Sequence, residues 1–510
     1  MIVNGIKMPL DHTEQQLKQA AAKKCGFDID KLRICKKSVD ARFGNVCFVY
    51  NVEACRAGED FEMQPRAKVR QANFKKRPIV VGSGPCGLFA AYFLAKAGAQ
   101  PILLERGKCV DERMRDVNNF WTSRQFDNKS NVQFGEGGAG TFSDGKLTTQ
   151  ISNPLCSEVL HTFVECGADE EILYAAKPHL GTDNLVNIVR QLRNKIIELG
   201  GEVHFEEPLR DIVIENNKVH KIVANGEYDA DCVILAIGHS ARDTFEMLHG
   251  RGVNMIAKAF SVGARIEHPQ AIVDKCQYGK YAGHKNLGAA DYKLSYHTKS
   301  GRGVYTFCMC PGGVVVAAAS EDNTVVTNGM SYHARNGVNA NSAFLVSVTP
   351  DDFGKRPLDG VEFQRMLEAK AFELGGGNYN APCQLLGDFM QGRQSSAFGS
   401  VQPTYKPGVA FANLDNLFPR FVTDSMREAV PQFAGRLKCF DLHDAVITAP
   451  ETRSSSPVRI VRDDSMQSNV SGLYPAGEGA GYAGGIMSAA VDGIRCALQA
   501  IENSLSTNGL

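Results

Sequence analysis

Residues 79–87 read Ile79-Val80-Val81-Gly82-Ser83-Gly84-Pro85-Cys86-Gly87. A short apolar run stops at a G-x-G-x-x-G spacing. A helical pattern, residues 88–97, follows and is ended by Gly98. Residues 101–104 form the next apolar run, so strand, glycine turn, helix and strand make a β-α-β unit. Each glycine has a physical task. Gly82 allows the tight turn off the strand, Gly84 lets a pyrophosphate approach the backbone, and Gly87 lets the helix pack close to the sheet. Ser83, Pro85 and Cys86 complete the turn, and the helix N-terminus offers free N–H groups to phosphate. Glu105 ends the second strand 23 positions after Gly82, near the roughly 20 at which a carboxylate meets an adenosine ribose.

Upstream, residues 1–63 read as a small α+β domain. Strands are expected at 2–8, 32–39 and 46–52, and a helix at 13–25 with Thr13 as N-cap and Gly26 as stop. Residues 64–77 are a basic linker. The run 65–78 holds six basic residues and no acidic one, which reads as a solvated strip. Downstream, a helix at 185–199 and strands at 203–205, 212–215, 219–223 and 232–235 continue the αβ pattern. Residues from about 245 to 450 are strand-rich and carry no repeat.

Three later segments share the glycine-rich character of the first. Gly135-Glu136-Gly137-Gly138-Ala139-Gly140-Thr141 brings backbone N–H groups together in a nest suited to an anion. Residues 232–238, CVILAIG, are a strand ending in glycine. Residues 472–478, GLYPAGE, are another, and AGGIM at 483–487 opens a helix over 488–500.

The 510 residues carry 56 Lys plus Arg against 56 Asp plus Glu. A chain that works by neutralising phosphates is usually basic, so nucleic acid is not the expected partner. The 15 cysteines are odd in number and scattered singly, which argues against a disulfide framework and for a cytoplasmic setting. No signal peptide and no membrane span are expected, nor does any His/Cys/Asp cluster have metal-ligand spacing.

On these residues the chain resembles the glutathione-reductase-type FAD-binding fold, in the subgroup with p-hydroxybenzoate hydroxylase and geranylgeranyl reductase. The resemblance implies that Glu105 holds the adenosine ribose and that Arg106 contacts phosphate or packs by the adenine. It implies that residues 137–141 cradle the pyrophosphate or the flavin edge. Leu209, Ala236 and Gly238 are placed with the cofactor in the same way, with Ile237 where the family's A-T-G element has Thr. Gly477-Glu478 resembles the Gly-Asp that binds the ribityl hydroxyls, with Glu for Asp. Gly485, Ile486 and Met487 open a helix whose N-terminus would face the flavin N1 and C2 carbonyl. The chain is similar over nearly its whole length to the bacterial NAD(FAD)-utilising dehydrogenase group. FGEGGAGTFSDGKL at 134–147, FSVGARIEHP at 260–269, YTFCMCPGG at 305–313 and ETRSSSPVRI at 451–460 carry that similarity.

The resemblance has a topological consequence. Gly82 and Gly477 lie 395 positions apart and must meet around one FAD. The expected fold is therefore an α/β, Rossmann-like FAD-binding domain in two parts, 78–244 and 451–510, with an inserted α+β cap at 245–450. The FAD is expected to be non-covalent. No second strand–G-x-G-x-x-G–helix unit follows, so NAD(P)H as donor would bind transiently in the cleft.

The expected activity is hydride transfer between the flavin and a small organic substrate. A monooxygenase, or a flavin-bearing binding or assembly protein with residues 1–63 as its recognition module, stay open as alternatives. Lys146 and Arg453 are the candidate reacting groups, Lys146 also as a flavin neighbour and Arg453 as an anion binder. Cys308 and Cys310 are tempting beside a flavin. As residues i and i+2 of one strand they share a face, and a disulfide between them is strained. They are expected to be inert core.

Overall fold

The computed structural model describes residues 1–62 and 66–506. The expected boundary between residues 63 and 64, and Pro65, lie outside them. Residues 1–55 form a three-stranded antiparallel sheet of β1 (Ile2–Met8), β2 (Lys31–Asp40) and β3 (Cys47–Cys55) in the order β1-β3-β2, with α1 (Glu14–Cys25) packed on it. Thr13 and Gln16 cap α1 reciprocally, and Gly26 ends it in the left-handed region at φ 78°. Both were legible as helix signals.

This first unit is docked on the rest of the chain. The Lys37 N–H donates to the Tyr174 carbonyl at 2.8 Å, and the Ala176 N–H donates to the Lys37 carbonyl at 2.8 Å. His284 meets Asp11 at 3.1 Å, and Asn286 donates to the Leu10 carbonyl at 2.9 Å.

The central layer is a five-stranded parallel sheet. It holds β4 (Ile79–Val81), β5 (Ile102–Leu104), β6 (Glu202–His204) and β7 (Val233–Leu235), and the late strand Leu473–Pro475 pairs with β7. The order is Leu473–Pro475, β7, β4, β5, β6. β4 and β7 read as unbroken apolar runs because layers cover both of their faces. Helix α2 (Pro85–Lys96), buried from Cys86 to Ala95, lies between this sheet and the C-terminal helix Ile486–Ser506. The two helices nearly touch: a Cβ on Gly493 would fall 2.0 Å from the Cys86 carbonyl oxygen. The return of Leu473–Pro475 to the early sheet makes the nucleotide-binding domain discontinuous, as expected.

The inserted region is built on a seven-stranded, mostly antiparallel sheet. Its centre is β8 (Phe260–Pro269), flanked by β10 (Asn339–Val348) and β11 (Val446–Glu451), with β9 (Gly303–Cys310) beyond β10.

Two sequence expectations are corrected here. Phe245, Leu248, Val253 and Met255 pack in one apolar cluster with Val233, Val458 and Ile460, and Met255–Ala257 pairs with Val458–Ile460. Residues 245–257, including most of α3 (Arg242–Gly250), therefore belong to the central layer, and the seam lies near Lys258 rather than at 244/245. The basic strip is not a free linker, although Arg66, Lys68, Arg70 and Lys75 stay exposed. Arg66 pairs with the buried Glu158 at 2.9 Å and with Glu165, Arg70 meets Glu502, and Arg77 meets Glu202. Ala67, Val69, Ala72 and Phe74 pack on the central core. Composition shows the charges of such a strip but not the carboxylates waiting for them.

Candidate functional site

One cavity of about 1030 Å³ opens between the central sheet and the inserted region. Its first end is made of main chain. Gly82 sits at φ 97°, and a Cβ there would fall 2.4 Å from the Ala236 carbonyl oxygen. A Cβ on Gly87 would strike the Gly82 carbonyl oxygen at 1.7 Å. Both glycines answer to protein packing. Gly84 does not: a Cβ there would meet only Gly138 Cα, at an ordinary 3.8 Å. It caps α2 with extended backbone and faces the cavity, beside N–H groups that the helix itself leaves free.

Glu105 is buried beside this turn and saturated. One carboxylate oxygen accepts from the Ser83 N–H at 2.8 Å and the Ser83 hydroxyl at 2.7 Å. The other accepts from the Gly107 and Gly135 N–H groups at 2.9 and 3.0 Å. A carboxylate offers about four such positions, and the rotatable Ser83 hydroxyl is the donor that can yield. Arg106 stacks over Phe134 at 4.3 Å and pairs with Asp243 at 2.8 Å. The glycine-rich segment at 135–141 is shaped from beneath by Arg113. This fully buried arginine donates to the carbonyls of Asn131, Val132, Gly135 and Glu136.

The late segment closes the same end. Gly477 packs on Cys86 and donates its N–H to Asp492 at 2.7 Å. Glu478 lies 3.4 Å from His239 Nδ1. The other ring nitrogen of His239, Nε2, is buried with no hydrogen-bond partner among the described residues.

The second end is made of charged side chains. Arg265, fully buried on β8, pairs with Glu451 and donates to Asn328 at 2.9 Å, to Asn341 at 3.1 Å and to the Cys308 carbonyl at 2.8 Å. Burial pushes the Glu451 carboxyl up to about 7 against the pull of Arg265. Lys146 bonds the Met309 carbonyl and lies 3.8 Å from Asp144, which Arg335 also holds.

Arg453 reaches the cavity wall, yet its charge is committed. Its Nη2 meets Glu368 at 2.8 Å, and it also donates to Ser320. Glu368, on α4 (Asp359–Leu374), is shared with Arg242 at 2.7 Å. Burial opposes the charge on Glu368, but Arg242 and Arg453 outweigh it and hold the carboxyl well below its usual range. This buried Arg242–Glu368–Arg453 cluster ties α3 to the inserted region. Arg453, expected as an anion binder, is thereby held by a carboxylate of the chain itself.

Of the residues expected at the cofactor, sixteen face the cavity: Gly82, Gly84, Pro85, Cys86, Glu105, Arg106, Gly138, Ala139, Gly140, Lys146, Leu209, Ala236, Gly238, Glu478, Gly485 and Ile486. Six do not line it. Ser83 and Thr141 are buried behind the wall, where Thr141 donates to the Glu136 carbonyl. Gly87 and Gly477 are consumed by close backbone packing, Gly137 is a left-handed turn residue, and Met487 is core. The three glycines among them serve tight turns and close packing rather than contact with the cavity.

The cavity also draws in His239, Lys258, Asn328 and Glu451, which were not singled out as cofactor or reacting residues. Only Glu451 had a local signal, at the head of the ETRSSSPVRI motif. Cys308 departs from the expected inert core by facing the cavity. Among the described residues no group of three His, Cys, Asp or Glu could hold a metal ion, and no helix is long and apolar enough to cross a membrane.

Residues 259–454 match the family model for FAD-dependent protein, C-terminal domain-like. Residues 80–131 match an NAD(P)-binding Rossmann-like domain, and residues 1–55 match a domain of unknown function. A protein of Clostridium beijerinckii, described as uncharacterized, is 48% identical over 523 aligned positions that cover 98% of each chain. Among solved structures, a geranylgeranyl bacteriochlorophyll reductase-like protein of Thermoplasma acidophilum is 13% identical over 85% of this chain and 79% of its own, with a TM-score of 0.37. A glycerol-3-phosphate dehydrogenase of Bacillus halodurans is 10% identical over 86% and 66%, with a TM-score of 0.36. Near-complete coverage by one relative, together with the matched FAD-dependent C-terminal and Rossmann-like segments, places the chain in the family of FAD-dependent proteins that includes the Clostridium beijerinckii protein.

Proposed function

We propose that this FAD-dependent oxidoreductase exchanges a hydride between its flavin and a small organic substrate held against β8, β9 and β11. The observation that carries the reading is the continuity of this cavity. It runs from Gly84 and Glu105 at one end to Glu451 and Cys308 at the other, so cofactor and substrate would share one space.

The residues present fit FAD. Gly84 leaves room that no protein atom uses. His239 lines the same wall, with its Nδ1 3.4 Å from Glu478. When bound, FAD supplies the two-electron chemistry, and the chain supplies position. Gly84, Gly138 and the start of α2 hold the phosphates, and Glu105 orients the ribose. Glu478 and His239 meet the ribityl chain. Lys146 offers a cation to an acidic substrate. Glu451, poised near neutrality, gives or takes a proton at its carboxyl. NADH or NADPH as donor would enter the same cavity in turn.

Anaerobic spectra of the holoprotein with NADH, then NADPH, then a panel of small unsaturated acids test this. The expected result is bleaching by a pyridine nucleotide and recovery on addition of one acid, with a pH limb near 7 that Glu451→Gln removes. Hydroxylated product on aeration would make the protein a monooxygenase. Flavin that no reductant turns over would make it a binding protein.

A further inference from the structure

Strand β9 does not run flat. It pairs with β10 in register from Val304↔Val346 to Phe307↔Ala343, and pairing resumes at Cys310↔Asn341. Three steps on β9 therefore match two on β10, so one residue is extra and the strand bulges. Cys308 sits in the bulge at φ 40°, a left-handed conformation that a non-glycine residue adopts only under constraint. The bulge breaks the alternation that would put Cys308 and Cys310 on one face. Cys308 lines the cavity, while Cys310 is wholly buried behind it.

The surroundings of the two thiols differ in the same sense. The Cys310 thiol donates to the Cys308 carbonyl at 3.2 Å. That carbonyl also accepts from Arg265, and the next one, of Met309, accepts from Lys146. Two cations thus face Cys308. The anions nearby, Glu451 and Asp144, are tied to Arg265 and Arg335. A hydrogen bond from the Cys310 side chain, then Arg265 and Lys146, hold the Cys308 thiol below its ordinary range despite burial. The same hydrogen bond and burial push Cys310 up. A cavity-lining thiol flanked by two cations, beside a fully buried thiol, is the arrangement of an attacking and a resolving group.

We propose that Cys308 and Cys310 form a thiol–disulfide couple on the cavity wall that reduces a small organic disulfide. The Cys308 thiolate attacks one sulfur of the substrate. The substrate S–S bond breaks, a Cys308 mixed disulfide forms, and the first thiolate leaves and takes a proton from solvent. Cys310 then gives up its proton and attacks Cys308 Sγ. The second thiolate leaves with that proton, and a Cys308–Cys310 disulfide closes. Two electrons pass from the protein dithiol to the substrate, which becomes two thiols.

The full-length protein provides a clean readout, because the tryptic peptide 303–335 contains these two cysteines and no other. The reduced protein is exposed to oxidised glutathione, quenched in acid, alkylated and digested. The expected peptide is two hydrogens lighter and carries no glutathione. In Cys310→Ser the same peptide should instead retain glutathione on Cys308. With iodoacetamide at neutral pH, the reduced wild-type protein should be labelled at Cys308 before Cys310. A wild-type peptide that holds glutathione without closing the disulfide would overturn the resolving role of Cys310. A peptide left unmodified by glutathione would overturn the couple. Both outcomes are read on the wild-type chain and so do not depend on the variant folding.

Discussion

The two ends of the cavity are built from different materials. At the first end, glycines 82, 87 and 138 let main chain approach main chain, Gly84 leaves its side open to the cavity, and the donors are backbone N–H groups. At the second, Arg265 and Glu451 are side chains buried on adjacent strands of the inserted sheet, and Arg242, Glu368 and Arg453 are buried where α3 meets the inserted region. A main-chain site can lose its ligand without losing the fold, because its parts are already held by sheet and helix hydrogen bonds. A site of buried charges cannot, because removing one partner strands another in a low-dielectric surround.

The largest effect should come from Glu368→Ala. It leaves Arg242 and Arg453 facing each other without their shared carboxylate, and breaking such a buried pair costs roughly 3–5 kcal/mol. Urea denaturation should show a midpoint far below wild type or little folded protein. A midpoint close to wild type would mean that the seam is not held by this cluster.

pH should act next, and through the inserted region. His268, buried on β8 with Nε2 on the Phe440 carbonyl at 3.0 Å, is pushed down to about 4 by burial. Its folded value lies below its unfolded one. Its contribution is therefore complete above about 6.5 and is lost as pH falls through about 4, for a cost of about 3 kcal/mol. Denaturation midpoints from pH 7 to pH 4 should fall accordingly, and His268→Gln should flatten that slope. An unchanged slope would place the acid sensitivity elsewhere.

A smaller effect is expected at the first end. Glu105→Ala removes charge-assisted bonds to a ribose worth roughly 1.5–3 kcal/mol, or about ten- to a hundred-fold in FAD affinity. Equilibrium titration of the flavin-free protein with FAD measures it. A loss much below tenfold would mean that the Ser83, Gly107 and Gly135 donors, rather than ribose, occupy Glu105 in the complex.

The contrast also explains what could be read in advance. The β-α-β unit at 79–104 was legible because its signals are local: apolar runs, glycine spacing and one carboxylate at a fixed distance. The return of Leu473–Pro475 to the same sheet followed from two glycine elements that had to share one FAD. The charged end was not legible. Arg242 and Glu368 are 126 positions apart, and Arg453 and Glu368 are 85 apart. No spacing rule links such residues. Arg113 stands in no motif, yet it shapes the 135–141 turn through four carbonyls. Cys308 and Cys310 were read on a flat strand, and the bulge that separates them comes from register against β10. The basic strip misled for the same reason, since Glu158 lies 92 positions from Arg66 and Glu502 lies 432 from Arg70.

Within one motif, Gly84 isolates the central claim, that the first end is space reserved for FAD rather than for packing. The decisive measurement is the FAD released per folded chain of Gly84→Val, set beside the urea midpoint of the flavin-free variant and wild-type proteins. The account predicts that FAD is lost almost entirely, while the flavin-free midpoints differ by no more than about 1 kcal/mol, the scale of a changed helix cap. A Gly84→Val protein that folds and still carries FAD as wild type does would contradict it.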